Sequence, residues 1–151
     1  MPIMEPYTAL ADGAESVVVH TPQHVQAALT AAWAAKQPVI LCSAPGAAQY
    51  QGPGWLLKVA QTKAATLPGV RWTLVLDAGD AAGFAMAALE SGVPAVAVNG
   101  LPPAALRSLR AIAEGLGAAV LDGPLHGTDL LALPDPAAAC RSLMNPATQG
   151  I

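Results

Sequence analysis

Charge is what this chain has least of. Only 11% of its 151 residues are Asp, Glu, Lys or Arg, and the formal net charge is −3. The seven basic residues are scattered, so there is no basic footprint for nucleic acid, and no nucleic-acid partner is expected. Aromatic residues make up 4%, with a single phenylalanine. Two cysteines, Cys42 and Cys140, are too few to read as a disulfide framework. Pro, Gly, Asp or Asn breaks every apolar run well short of the roughly 18 residues that a membrane span needs, so no membrane association is expected. Neither a GxGxxG nor a Walker pattern occurs, which argues against a nucleotide. The opening MPIMEPYTALADG lacks the basic region and apolar core of a secretory signal, and the expected location is the cytoplasm.

What the chain has in excess is apolar surface. Its hydrophobic content is 54% and its mean hydropathy +0.45. Both are high for a lone domain of this size, which has to cover much of itself with polar groups. Self-association resolves the excess. The helical segments 27–35 and 81–89 contain no charged residue, so their faces bearing Trp33, or Phe84 and Met86, are expected to meet a second copy in a homo-oligomer, most simply a dimer. The plainer alternative is that these alanine-rich faces tolerate water. By contrast, Arg107, Arg110 and Glu114 recur at helical spacing and mark a solvated face.

The stretch 72–99 contains one complete repeat of the architecture. Residues 73–76 are a continuous apolar run, the pattern of a strand buried on both faces. Asp77 and Gly79 end it, Asp80 is placed to cap a helix over 81–91, Gly92 closes that helix, and 94–98 is the next buried strand, ending at Asn99. Similar strands are predicted at 16–20, 39–42 and 118–121. Helices are predicted at 22–36, opened by the Thr21-Pro22 cap-and-proline pair, and at 54–66 and 104–116. Residues 1–16 read as an irregular or partly helical lead-in, and 43–53 as a long loop with two prolines and two glycines. Residues 124–151 read as a tail with a turn near 126–133 and a last helix from Asp135. Five strands alternating with four helices predict one α/β domain over 1–151, built on a parallel sheet with right-handed crossovers. The expected form is a three-layer, five-stranded sheet with helices on both faces, as in flavodoxin-like folds. The other solution is half of a barrel, because a closed eight-stranded barrel needs about 200 or more residues.

Parallel α/β folds bind ligands outside the carboxyl ends of their strands. The residues that leave the strands here are His20 and Thr21, Cys42 and Ser43, Asp77 followed by Asp80, Asn99, and Asp122, with His126 a little downstream. Turn and cap chemistry accounts for several of them: Thr21 and Asp80 as caps, Asp77 and Asp122 as turn formers, Asn99-Gly100 as a turn dipeptide. The functional reading gives His20 acid–base work with Asp77 orienting it. Thr21, Ser43, Asp80, Asn99 and Asp122 would bind substrate, and loop 43–53 would close over it. Cys42 or Ser43 paired with His20 would supply a nucleophile if the first two strands are neighbours. His20, Asp77, Asp122, His126 and Cys42 are potential metal ligands, but none has a diagnostic spacing, so metal and cofactor stay open. Lys36, Lys58 and Lys63 fall on helices or near their ends, which argues against a Schiff base.

Val75–Gly100, VLDAGDAAGFAMAALESGVPAVAVNG, resembles a strand–helix–strand unit of the TIM-barrel aldolases. Leu76-Asp77-Ala78-Gly79 is similar to the Leu-Asp-His-Gly strand end of class II fructose-bisphosphate aldolases, with Ala78 in place of the metal-binding histidine. Thr21-Pro22-Gln23, with Val25 and Ala28, is similar to the TPEQV-type strand end of keto-deoxy-phosphogluconate aldolases. The resemblance implies a barrel or half-barrel relative in which Asp77 polarises or deprotonates a hydroxyl-bearing substrate. The absent histidine and strand-end lysine depart from both aldolase mechanisms. Two functional classes follow. One is a lyase- or isomerase-type enzyme acting on a small hydroxylated or carbonyl compound. The other is a non-catalytic ligand-binding or assembly subunit acting through its apolar helices.

Overall fold

The computed structural model describes residues 3–145, and the last residues of the predicted tail lie outside them. The order is β1 (Ile3–Met4), α1 (Tyr7–Leu10), β2 (Glu15–Val19), α2 (Pro22–Ala35), β3 (Val39–Ser43), α3 (Ala47–Gln51), α4 (Trp55–Ala64), β4 (Arg71–Gly79), α5 (Ala82–Glu90), β5 (Ala95–Val98), α6 (Pro103–Gly115), β6 (Ala119–Asp122), β7 (Thr128–Asp129), a 3₁₀ turn over Leu130–Ala132, and α7 (Pro136–Met144). The caps work as the sequence predicts at two helices. Thr21 Oγ1 accepts the His24 N–H at 3.1 Å, and Asp135 Oδ1 accepts the Ala138 N–H at 3.1 Å, each with a proline in the first turn.

All strand pairings are parallel, and the strands lie side by side in the order β6-β5-β4-β3-β2-β7, with β1 pairing the start of β4. Six strands on this path replace the expected five, because Thr128–Asp129 pairs with Val17–Val18 where the sequence suggested only a turn. From β2 to β6 the order is sequential, and the two-residue β7 returns to the opposite edge beside β2. A flavodoxin-like sheet reverses direction at a switch point, and no such reversal occurs between β2 and β6, so the half-barrel alternative describes the topology.

The sequential order also determines where the helices sit. Val17, Val19, Leu41, Leu74, Leu76 and Val96 pack into one large core with α2, α4, α5, α6 and α7. Alternate residues, Val18, Ile40, Cys42, Val75, Ala95 and Ala97, face the other side, where Leu10, Tyr7 and Leu125 cover them. Three layers are therefore present but unequal. The long helices occupy one face, and the opposite face receives only the four-residue α1 and a loop. Successive right-handed crossovers that all advance in one direction return to the same face of the sheet.

That loop closes the half-barrel. Asp122 ends β6 at one edge of the sheet and Thr128 opens β7 at the other. In a flat sheet at about 4.8 Å per strand the two edges would stand about 24 Å apart. The chain between them reaches at most about 21 Å. The sheet therefore curls, and residues 123–127 cross its concave side as a strap. Gly127 sits where a Cβ would come within 3.0 Å of the Ser16 carbonyl oxygen, so the strap lies directly against β2.

Lys36 closes α2 in the left-handed conformation, with φ 55°, where a β-carbon is penalised. Lys36→Gly is expected to raise unfolding stability by about 0.5–1 kcal/mol in urea titration, after allowance for the greater freedom of glycine in the unfolded chain. An unchanged or lower midpoint would contradict that reading of the helix end.

Candidate functional site

The carboxyl edge is organised by Asp77. β4 carries a bulge between Asp77 and Gly79, and such bulges re-aim side chains at sheet ends. Gly79 adopts φ 60°, and a Cβ there would lie 3.0 Å from the Gln49 amide nitrogen, which donates to the Ala78 carbonyl at 2.8 Å. The positive φ favours glycine here, and a Cβ would also press on the end of the Gln49 side chain. Asp77 Oδ1 accepts the Gly79 N–H at 2.8 Å and the Gly46 N–H at 2.9 Å. The Asp77 N–H donates to Ser43 Oγ at 2.8 Å, and Ser43 in turn donates to the Ala44 carbonyl at 3.1 Å. Three segments are tied at this residue: the end of β3, the loop into α3, and the end of β4. Asp77 is 8% exposed, and its Oδ2 has no partner among the described residues.

A cavity of about 330 Å³ opens beside it. Its polar wall consists of Ser43, Asp77, Asn99 and Asp129, and the strap residues Pro124 and Leu125 form the opposite side. Asn99 reaches this edge because its N–H donates to the Gly79 carbonyl at 2.8 Å. Asp129 is a member that the sequence reading missed. Its only sequence signal is a polar residue placed to cap the turn after it: Oδ1 accepts the Leu131 N–H at 2.9 Å. The same oxygen lies 2.7 Å from His20 Nε2. The Leu131 N–H holds the Asp129 carboxyl below its usual range, burial opposes this, and His20 reinforces it.

His20 is therefore oriented by Asp129, not by Asp77 as the sequence reading expected, because β7 inserts Asp129 beside the end of β2. The His20 N–H also donates to His24 Nδ1 at 3.0 Å, and the two rings meet edge to face. Burial, then the neighbouring His20, push the His24 imidazole below its ordinary value.

The other predicted residues divide. Ser43 and Asn99 join Asp77 in the cavity wall, with Ser43 committed to backbone partners. Thr21 acts as a cap. Asp80 does not cap α5: Ala81 holds that position without a side-chain bond, and the bulge leaves Asp80 exposed at the tip of a turn. Asp122 lies below the strap in a second chamber of about 410 Å³, together with His126, Tyr7, Ser16 and Cys42. β2 and β3 are neighbours as the nucleophile pairing required, yet neither partner is available to His20. Burial, and secondarily the charge of Asp77, push the Cys42 thiol up to about 12, and Ser43 is 2% exposed. No lysine lines the cavity.

No protein-family profile matches this chain, and no curated protein does. Among solved structures, a Coccidioides immitis protein named as a candidate fructose-1,6-biphosphate aldolase superposes with a TM-score of 0.61 at 20% identity. The match covers 90% of this chain and 52% of that one. The match shows a shared fold over about half of that protein. The present chain thus spans about half the length of its structural counterpart, in agreement with the sequential strand order.

The barrel aldolases that use a metal hold it with histidines, and the residues here do not fit one. Ala78 supplies no donor, and among the described residues no group of three or more His, Cys, Asp or Glu side chains converges on a metal position.

The depressed His24 imidazole gives a pH dependence of definite sign. Below its ordinary value of 6.5 the unfolded chain takes up a proton that folded His24 resists. This contribution to stability is complete above pH 6.5 and is lost as the pH falls below it, by at most about 1.4 kcal/mol per pH unit. His24→Asn keeps an acceptor for the His20 N–H and removes the titration. Urea midpoints between about pH 7.5 and 5.5 should decline more steeply in the wild type than in this variant, and parallel declines would refute the assignment.

Proposed function

We propose that the cavity at the carboxyl edge binds a small hydroxylated or carbonyl-bearing metabolite and that the protein is an enzyme of lyase or isomerase type. The observation that carries this reading is Asp77 itself. It is a nearly buried carboxylate with one oxygen anchored by two backbone amides and the other oxygen unpartnered, in the wall of a cavity that also presents Asn99 and Asp129. An anchored carboxylate is preorganised to accept, and then to withdraw, a proton from a ligand hydroxyl, and positioned proton transfer contributes about 10²–10⁴-fold to rate. Asn99 offers an amide to a carbonyl oxygen. His20 acts from behind Asp129, holding that second carboxylate in place through the 2.7 Å contact.

NMR titration against small polyols, hydroxy acids and hydroxy ketones tests the site. Ligands should perturb the amides of Gly46, Gly79 and Asn99 before any others. For a ligand that is turned over, Asp77→Asn preserves an oxygen acceptor for both amides and removes the charge, so the fold should persist while turnover falls at least about 100-fold. Unchanged affinity and turnover in that variant would remove Asp77 from the mechanism.

A second reading, an assembly subunit without catalysis, draws on the exposed aromatic and thioether surface of α5, where Phe84 is 44% and Met86 37% exposed. Trp33 on α2 is equally open, with its indole N–H donating to the Pro68 carbonyl at 3.0 Å. In that reading the uncharged segments 27–35 and 81–89 seat a second copy. Phe84→Glu or Met86→Glu should then shift the light-scattering mass from dimer to monomer, while an unaltered dimer would count against it.

A further inference from the structure

The charge layout of the chain points to the class of ligand the cavity takes. Every cation stands elsewhere. Lys36 ends α2, Lys58 and Lys63 lie on α4, Arg107 and Arg110 on α6, and Arg141 on α7. Arg71 opens β4 at the far end of the sheet, where its guanidinium is engaged by Glu5 at 2.7 and 3.1 Å. These are all seven of the basic residues, and none lines the cavity. Asp77 and Asp129 are in its wall, and Asp80 and Asp122 leave neighbouring strand ends.

A phosphorylated ligand needs the opposite arrangement. Phosphate sites are built from Arg or Lys, or from free amides at a helix N-terminus. Of the backbone amides in the cavity wall, those of Gly46 and Gly79 donate to Asp77 and that of Asn99 to the Gly79 carbonyl. The start of α5 at Ala82 lies two residues beyond Asp80, so an anion there would meet a carboxylate.

We infer that the cavity selects a small hydroxylated ligand carrying an ammonium group, and rejects its phosphorylated counterpart. The inference rests on the reading of this cavity as the ligand site. The free Oδ2 of Asp77 uses one lone pair for the ammonium and the other for the adjacent hydroxyl whose proton it takes; the ammonium contact is a charge-assisted hydrogen bond, about twice as strong as its neutral equivalent. The shielded surroundings of a carboxylate 8% exposed strengthen the attraction relative to water. Asp129, held by His20, and Asn99 meet the remaining oxygens of the ligand.

Three probes with the same three-carbon skeleton isolate the charge: 2-amino-1,3-propanediol, glycerol and glycerol 3-phosphate. Each is titrated into the intact protein and followed by the amide shifts of Gly46, Gly79 and Asn99. The aminodiol should bind about tenfold more tightly than glycerol, with a preference that shrinks as salt is raised, and glycerol 3-phosphate should give no shift at these amides. In Asp77→Asn the aminodiol and glycerol should bind within about threefold of each other. Glycerol 3-phosphate binding at these amides as tightly as the aminodiol would overturn the charge selection while leaving the site itself standing. Shifts from none of the three, or only at other amides, would overturn both the selection and the site.

Discussion

The carboxylate of Asp77 is the constraint on which the carboxyl edge depends. A buried carboxylate is costly unless hydrogen bonds replace the water it has lost. Here the Gly46 and Gly79 amides supply them, and both residues adopt positive φ, so the backbone is bent to bring those donors in. The Asp77 amide simultaneously fixes Ser43. One residue thereby sets the path of the loop after β3, the bulge that ends β4 and, through the Asn99-to-Gly79 bond, the exit of β5. The cavity wall is a consequence of this stitching.

The second constraint is topological. With the strands in sequential order and the long helices on one face, the concave face of the sheet needs a cover. In a complete barrel the remaining strands would enclose it. Here α1 packs Leu10 and Tyr7 against it, and the strap contributes Leu125. The strap also draws β7 onto the edge of β2, and this brings Asp129 to His20. Closure of the half-barrel and completion of the candidate site are therefore the same structural event.

Much of this was legible in the residues. Apolar runs such as Thr73–Leu76, the Thr21-Pro22 and Asp135-Pro136 signals, and the glycines after helices located the main strands and helices to within a few residues, because local patterning and capping dictate them. Strand order was not legible, since a buried parallel strand reads the same at any position in a sheet. Of the candidate site, Asp77, Ser43 and Asn99 could be placed together because strand ends share one edge. Asp129 could not. It comes from a two-residue strand without an apolar pattern, and its proximity to His20 spans 109 residues of sequence. Asp80 was misassigned to a cap because the bulge that re-aims Asp77 also shifts the start of α5 by one position, and a bulge leaves little trace in composition.

The account's central claim is that small molecules are recognised at the carboxyl edge, between Asp77 and the strap. A crystallographic screen of small polar fragments tests it most directly, because it offers every cavity of the protein to the same probes. The account predicts that hydroxylated fragments accumulate against Asp77, Asn99 and Asp129. It would be contradicted if that cavity stayed empty while the same fragments settled in the chamber below the strap or in the groove between α2 and α7.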